Sequence, residues 1–232
     1  CNPAIGGLGK GQIVREIDAL GGVMARAIDA TGIMFKMLNT SKGPAVWGPR
    51  AQADKDAYKD EVQRLIATRA NIEVVEATVD DLIVEDGEVK GVMLNEPLHA
   101  RAVVLTTGTF MRGLMHTGES KEQGGRVGEG SAVGISGTLQ KLGFELGRLK
   151  TGTPPRLSKA TIDWDALPPQ LGDEEPVPFS DYPSEAFPVL QQVDCRITST
   201  NSEMHELIRD NLERAPMYSG AIDAESGPRY CP

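Results

Sequence analysis

The chain has 232 residues, 40% hydrophobic and 25% charged, the composition of a globular protein with one large or two small domains. Its formal net charge of −9 argues against a general nucleic-acid-coating protein, which needs a basic footprint, but leaves room for a local basic patch. Cys1, Cys195 and Cys231 are too few and too scattered for a disulfide framework or a zinc ribbon, which favours a reducing compartment. No apolar run approaches the ~20 residues of a membrane span, and the N-terminus lacks the charged and apolar regions of a signal peptide.

The opening "CNPAIGGLGKG" reads as an irregular loop with a candidate reactive thiol, Cys1, at its edge. "GQIVREIDAL" and "GVMARAIDAT" have helical apolar spacing and predict two short helices broken at Gly21-Gly22. "IMFKML" predicts a strand and "SKGPAVWGPR" a loop. Helix resumes over "AQADKDAYKDEVQRLIATR", with its acidic residues early, where the dipole favours them. "NIEVVEATV" predicts a strand. "DLIVEDGEVKGVML" predicts a hairpin with Asp86-Gly87 as a tight primed turn. "ARAVVLTTGTF" reads as a short buried strand, and "SAVGISGTLQKLG" as a helix with Ser131 as N-cap candidate. "LKTGTPPRLS" is stiffened by Pro154 and Pro155.

From about residue 160 the chain turns acidic and proline-rich. "IDWDALPPQLGDEEPVPFSDYPSEAFP" is expected to be extended, surface-running and the entry to a second domain, giving domains 1–158 and 159–232. "DCRITSTN" predicts a strand, with Cys195 as a buried small hydrophobe. "SEMHELIRDNLER" predicts a helix capped by Ser202 or Asn201, and "SGPRYCP" a loop.

Several stretches carry chemistry. A buried strand ending in Thr-Gly, as "ARAVVLTTG" does, presents a bare turn at a carboxyl end, where α/β sheets bind ligands. Preceded by antiparallel segments over 72–94, it matches the crossover of two-dinucleotide-binding flavoproteins; an ordinary core strand is the alternative. "GGLGKG" has neither dinucleotide-fingerprint nor P-loop spacing. Three loops pair a cation with glycines, prolines or a helix start: Lys42 and Arg50, Arg126 before Ser131, and Lys150 with Arg156. Each is either an anion site or a solvated loop. His99, His116 and His205 show no metal spacing to one another or to a cysteine, so no metal site is predicted.

The blocks "CNPAIGGLGKG", "DALGG", "LNTSKGPAV", "RAQAD", "AVVLTTGTF", "GRLKTGTPPR", "LIRDNLERAPMYSG" and "GPRYCP" stand in order. Together they resemble the glucose-inhibited division protein A (MnmG) family over essentially the whole chain, most weakly over 159–192. The resemblance implies an α/β fold. Part would be a Rossmann-like FAD-binding domain of the two-dinucleotide-binding flavoprotein type with a β-meander, and part an inserted α/β NAD(H)-binding domain. It further implies an internal fragment, lacking the family's N-terminal strand with its glycine fingerprint and the helical C-terminal domain.

The implied activity is FAD-dependent addition of a carboxymethylaminomethyl or aminomethyl group at C5 of the wobble uridine of tRNA. NADH, methylenetetrahydrofolate as one-carbon donor, an MnmE-like GTPase partner, a homodimer, a cytoplasmic location and no membrane association come with it. Position by position, Val79 and Ser131 match flavin contacts, and Gly227, Pro228, Arg229, Tyr230, Cys231 and Pro232 match the start of the NAD(H) segment. Cys1 and Cys231 match the catalytic cysteines. The competing readings are a general FAD/NAD(P)H oxidoreductase of small molecules and an inactive fragment of the parent enzyme.

Overall fold

A computed structural model of the chain describes residues 3–150, 152, 157–184, 186–216 and 218–222. In chain order its elements begin with β1 (Ala4–Gly6), α1 (Lys10–Ala19), α2 (Met24–Thr31), β2 (Gly32–Leu38), β3 (Gly48–Ala53) and α3 (Lys55–Ala67). They continue with β4 (Asp81–Glu85), β5 (Glu88–Met93), β6 (Pro97–His99), β7 (Leu114–Thr117), β8 (Ser120–Gln123) and α4 (Gly134–Lys141). The last are β9 (Pro169–Gln170), β10 (Cys195–Arg196) and α5 (Ser202–Asp210). Two compact units form: described residues 3–73 with 157–199, and 74–152 with 200–222.

In the first unit β3 lies between β1 and β2 and pairs antiparallel with both. Its inward residues Ala51 and Ala53 are buried, although Ala-Gln-Ala reads locally as the start of a helix. Pairing on both edges overrides that propensity, and α3 begins only after Asp54, whose carboxylate accepts from the amides of Asp56 and Ala57. Helices α1 and α2 are separated, as predicted, at Gly21, where φ is 82°. The core joins Val14 of α1, Ala25 and Ile28 of α2, Phe35 of β2, Ala51 and Ala53 of β3, and Phe179.

Phe179 departs from the surface-running expectation, being 1% exposed within the acidic, proline-rich segment. Two helix carboxylates hold this stretch. Asp29 accepts from the amides of Phe179 and Ser180, both at 2.8 Å, and Asp18 accepts from the Ser180 hydroxyl and the Asp181 amide. A buried backbone needs such partners. Burial pushes the Asp29 carboxyl above its ordinary value; the two amides pull it back, and the neighbouring Asp18 adds to the rise. Cys195 of β10 is half-buried, with its Sγ 3.3 Å from Met34 Sδ.

The second unit holds the predicted hairpin. β4, β5 and β6 form an antiparallel meander whose first turn has positive φ at both Asp86 (51°) and Gly87 (78°), the geometry of a primed turn. β7 and β8 make a second hairpin. Asn201 caps α5, its side chain accepting from the Met204 amide at 2.8 Å. Two expected strands are corrected: residues 72–79 and 102–107 are irregular, and Val74 and Val104 are 75% and 84% exposed. β-branched residues favour a strand only when a neighbouring strand takes up their backbone groups.

Candidate functional site

Val79 and Ser131, 52 positions apart in the chain, lie in the second unit on two segments that meet at the start of α4. The meeting point is Gly134: a Cβ there would sit 1.5 Å from the carbonyl oxygen of Asp80. Asp80 is tied to the meander, its amide donating to the Met93 carbonyl at 2.8 Å. Asp81 is tied to α4, its carboxylate accepting from the Thr138 hydroxyl. Glycine is therefore required where the helix begins.

Ser131 does not cap that helix. Val133 is the residue before α4 and makes no side-chain cap bond. The Ser131 hydroxyl instead donates to the carbonyl of Phe110 at 3.3 Å. The same carbonyl accepts from the Ala132 amide, and the Ala132 carbonyl accepts from the Arg112 amide, both at 2.8 Å. Residues 110–112 and 131–132 thus run side by side, with a parallel bridge between Met111 and Ala132.

Arginines gather at this joint. The Arg126 guanidinium lies 5.6 Å from the centre of the Phe110 ring and pairs with Glu129 at 2.6 Å. Arg148 donates to the carbonyl of Arg112 at 3.2 Å. Beside Ser131, Gly128 and Gly130 leave the backbone open: apart from their chain neighbours, no heavy atom lies within 4 Å of where either Cβ would be. Phe110, Arg112 and Arg148 were not singled out as site residues from the sequence. The signal for the two arginines was arginine beside glycine in "MRGL" and "LGRL", the pattern already noted in "GGRV".

The other sequence-named positions divide as follows. Cys1, Gly227, Pro228, Arg229, Tyr230, Cys231 and Pro232 lie outside the described residues, as does Arg156. The loop bearing Lys42 and Arg50 loses its anion reading at the helix start, because Asp54 already occupies the first-turn amides of α3. Among the described residues no group of three or more His, Cys, Asp and Glu side chains is placed to hold a metal ion. No described helix is long and apolar enough to cross a membrane. In the first unit, Asp18 borders a cavity of about 360 Å³ lined also by Ala19, Gly21, Gly22, Arg26 and Tyr182. The sequence reading missed Asp18 and Asp29; their signal was an acidic residue on the inward face of each helix.

The architecture is a mixed α/β fold that known structures share. The structure of Aquifex aeolicus GidA in the form I crystal matches all of this chain and 40% of that one, with TM-score 0.86 and 46% identity. The form II crystal gives 0.83, also at 46% identity, over 93% of this chain and 37% of that one. The sequence profile of Glucose inhibited division protein A matches residues 1–232. The tRNA uridine 5-carboxymethylaminomethyl modification enzyme MnmG of Rhodopirellula baltica is 54% identical, and that of Granulibacter bethesdensis 51%, each over 100% of this chain. The chain belongs to the glucose inhibited division protein A family. It spans 37% of the length of these curated relatives.

Proposed function

We propose that this chain is part of an FAD-dependent enzyme that adds a carboxymethylaminomethyl, or aminomethyl, group at C5 of the wobble uridine of tRNA. The observation that carries the reading is the 54% identity, over all of this chain, to an enzyme named for that modification. In this reading the protein uses NADH and methylenetetrahydrofolate, works with an MnmE-like GTPase, forms a homodimer and acts in the cytoplasm.

Val79 and Ser131 are assigned to the flavin, and Gly227 to Pro232 to NADH. The surroundings of Ser131 suit the assignment. Its hydroxyl keeps a free lone pair after donating to Phe110, and the open backbone at Gly128 and Gly130 admits a flat or anionic group. Bound FAD supplies the redox chemistry by which the one-carbon unit is used. The chain's own contribution is two thiols. C5 of uracil is a weak nucleophile until a thiolate, from Cys1 or Cys231, adds to C6 and forms a C6–S bond. After C5 has bonded to the one-carbon unit, the other thiol as thiolate removes the C5 proton. The C6–S bond then breaks and the first thiolate returns.

The test is to express the complete protein carrying this chain in bacteria that lack the modification, and to identify the wobble nucleoside by mass spectrometry. The unaltered protein restores the modified uridine, and Cys1→Ser or Cys231→Ser abolishes it. Persistence after both replacements removes the thiol roles. A folded, flavin-loaded protein that restores nothing removes the activity itself.

A further inference from the structure

We propose that Arg112, Arg126 and Arg148 form one phosphate-binding patch, and that the phosphates it takes belong to the RNA backbone. The RNA assignment rests on the function proposed above; the phosphate chemistry rests on the residues alone. Read along the chain, "GGRV" and "LGRL" are separate loops, each with a solvated-loop alternative. Folding closes them onto one joint. Arg148 reaches the backbone of Arg112, Arg112 is bonded through its amide to Ala132, and Arg126 lies against Phe110, whose carbonyl holds Ser131 and Ala132.

The charge at the joint is not balanced internally. Glu129 neutralises Arg126. Among the described residues, neither Arg112 nor Arg148 has a carboxylate within ion-pair distance, and both are exposed. Two unneutralised guanidinium-bearing residues on one joint of a chain with net charge −9 run against the average of the surface. Arg112 is also held at a φ of 45°, which non-glycine residues rarely adopt, so its backbone is fixed by the surrounding bonds. Guanidinium groups donate in a planar fork that fits phosphate oxygens.

The experiment measures binding of a fluorescent anticodon stem-loop RNA to the complete protein across a range of salt concentrations. It compares Arg112→Gln, Arg148→Gln and their Lys counterparts, with flavin content and inorganic pyrophosphate competition read on each. Each Gln change should weaken RNA binding several-fold and lower the slope of log affinity against log salt by about 0.7–0.9. The Lys variants should keep the slope, and flavin content should not change. Loss of flavin or of pyrophosphate competition, with the RNA slope intact, keeps the phosphate patch but overturns its RNA assignment. No change in slope, flavin or pyrophosphate competition overturns the patch. The function above is judged separately, by the modified nucleoside: a protein that modifies tRNA while slope, flavin content and pyrophosphate competition are all unchanged by the Gln variants defeats the patch alone. A Gln-sensitive protein that makes no product defeats the functional reading alone.

Discussion

The two units fold by different means. In the first, two helices, a three-stranded sheet and the returning segment around Phe179 close on one core. In the second, Ile135 is the one buried hydrophobic residue among those described, while Val74, Val104 and Val127 are 75%, 84% and 89% exposed. The second unit is held by hairpin ladders and by close backbone approaches, such as that of Asp80 to Gly134. Stability therefore rests on burial in one unit and on backbone geometry in the other, and the candidate site lies in the second. A site built on bonded loops can place several arginines together, which an apolar core cannot.

Substitutions should separate the two regimes, and the sequence supplies the probe. Both tryptophans, Trp47 and Trp164, belong to the first unit, so tryptophan fluorescence reports that unit, while amide exchange of the β4–β6 meander reports the other. Phe179→Ala removes a fully buried ring and should destabilise the first unit by about 3–5 kcal/mol in urea-induced unfolding followed by fluorescence. Meander exchange should stay as it was. Equal loss in both probes would show that the units unfold as one.

Gly134→Ala is the converse. Its methyl cannot share space with the Asp80 carbonyl, so α4 must part from the 79–81 segment at a cost of about 1–3 kcal/mol. Exchange in α4 and the meander should accelerate and the fluorescence midpoint should hold. Unchanged exchange would mean that the contact between Asp80 and α4 does not hold the second unit together.

What the sequence made legible was local. The Asp86-Gly87 turn, the break at Gly21 and the cap at Asn201 each depend on residues within a few positions, and each is found. What it hid was pairing at a distance. Ala51–Ala53 reads as helix because its partners in β1 and β2 are remote. The runs at 72–79 and 102–107 read as strands because their pattern is right, though no described strand pairs with them. Phe179 was masked by its proline-rich neighbours. As flavin contacts Val79 and Ser131 were named by family resemblance alone, and only the fold shows that their segments meet at α4. The Arg148–Arg112 contact spans 36 positions, beyond any motif.

The pH response should sharpen the comparison further, because Asp29 is buried in the first unit. Its native carboxyl lies above the ordinary value of 3.8. Between those two values the native state holds more protons than the unfolded chain, so the stability of the first unit falls as pH rises through that window. Asp29→Asn should remove this part of the fall, seen as a flatter fluorescence-detected stability curve from pH 3.8 upward. A fall of the same steepness in the variant would assign the proton to another group.

The smallest effect belongs to Asp54, and it tests whether the first unit also relies on backbone satisfaction. Its carboxylate accepts from two first-turn amides of α3, each at 3.0 Å, and is exposed. Asp54→Ala leaves those amides to water and should cost about 1 kcal/mol. Asp54→Ser, which can still cap, should recover most of it. Because α3 contributes Leu65 to the buried set, fraying at its start should slightly lower the fluorescence midpoint while leaving the meander untouched. A loss as large as that of Phe179→Ala would mean that the cap, rather than the apolar core, governs the first unit, and the contrast between the two units would collapse.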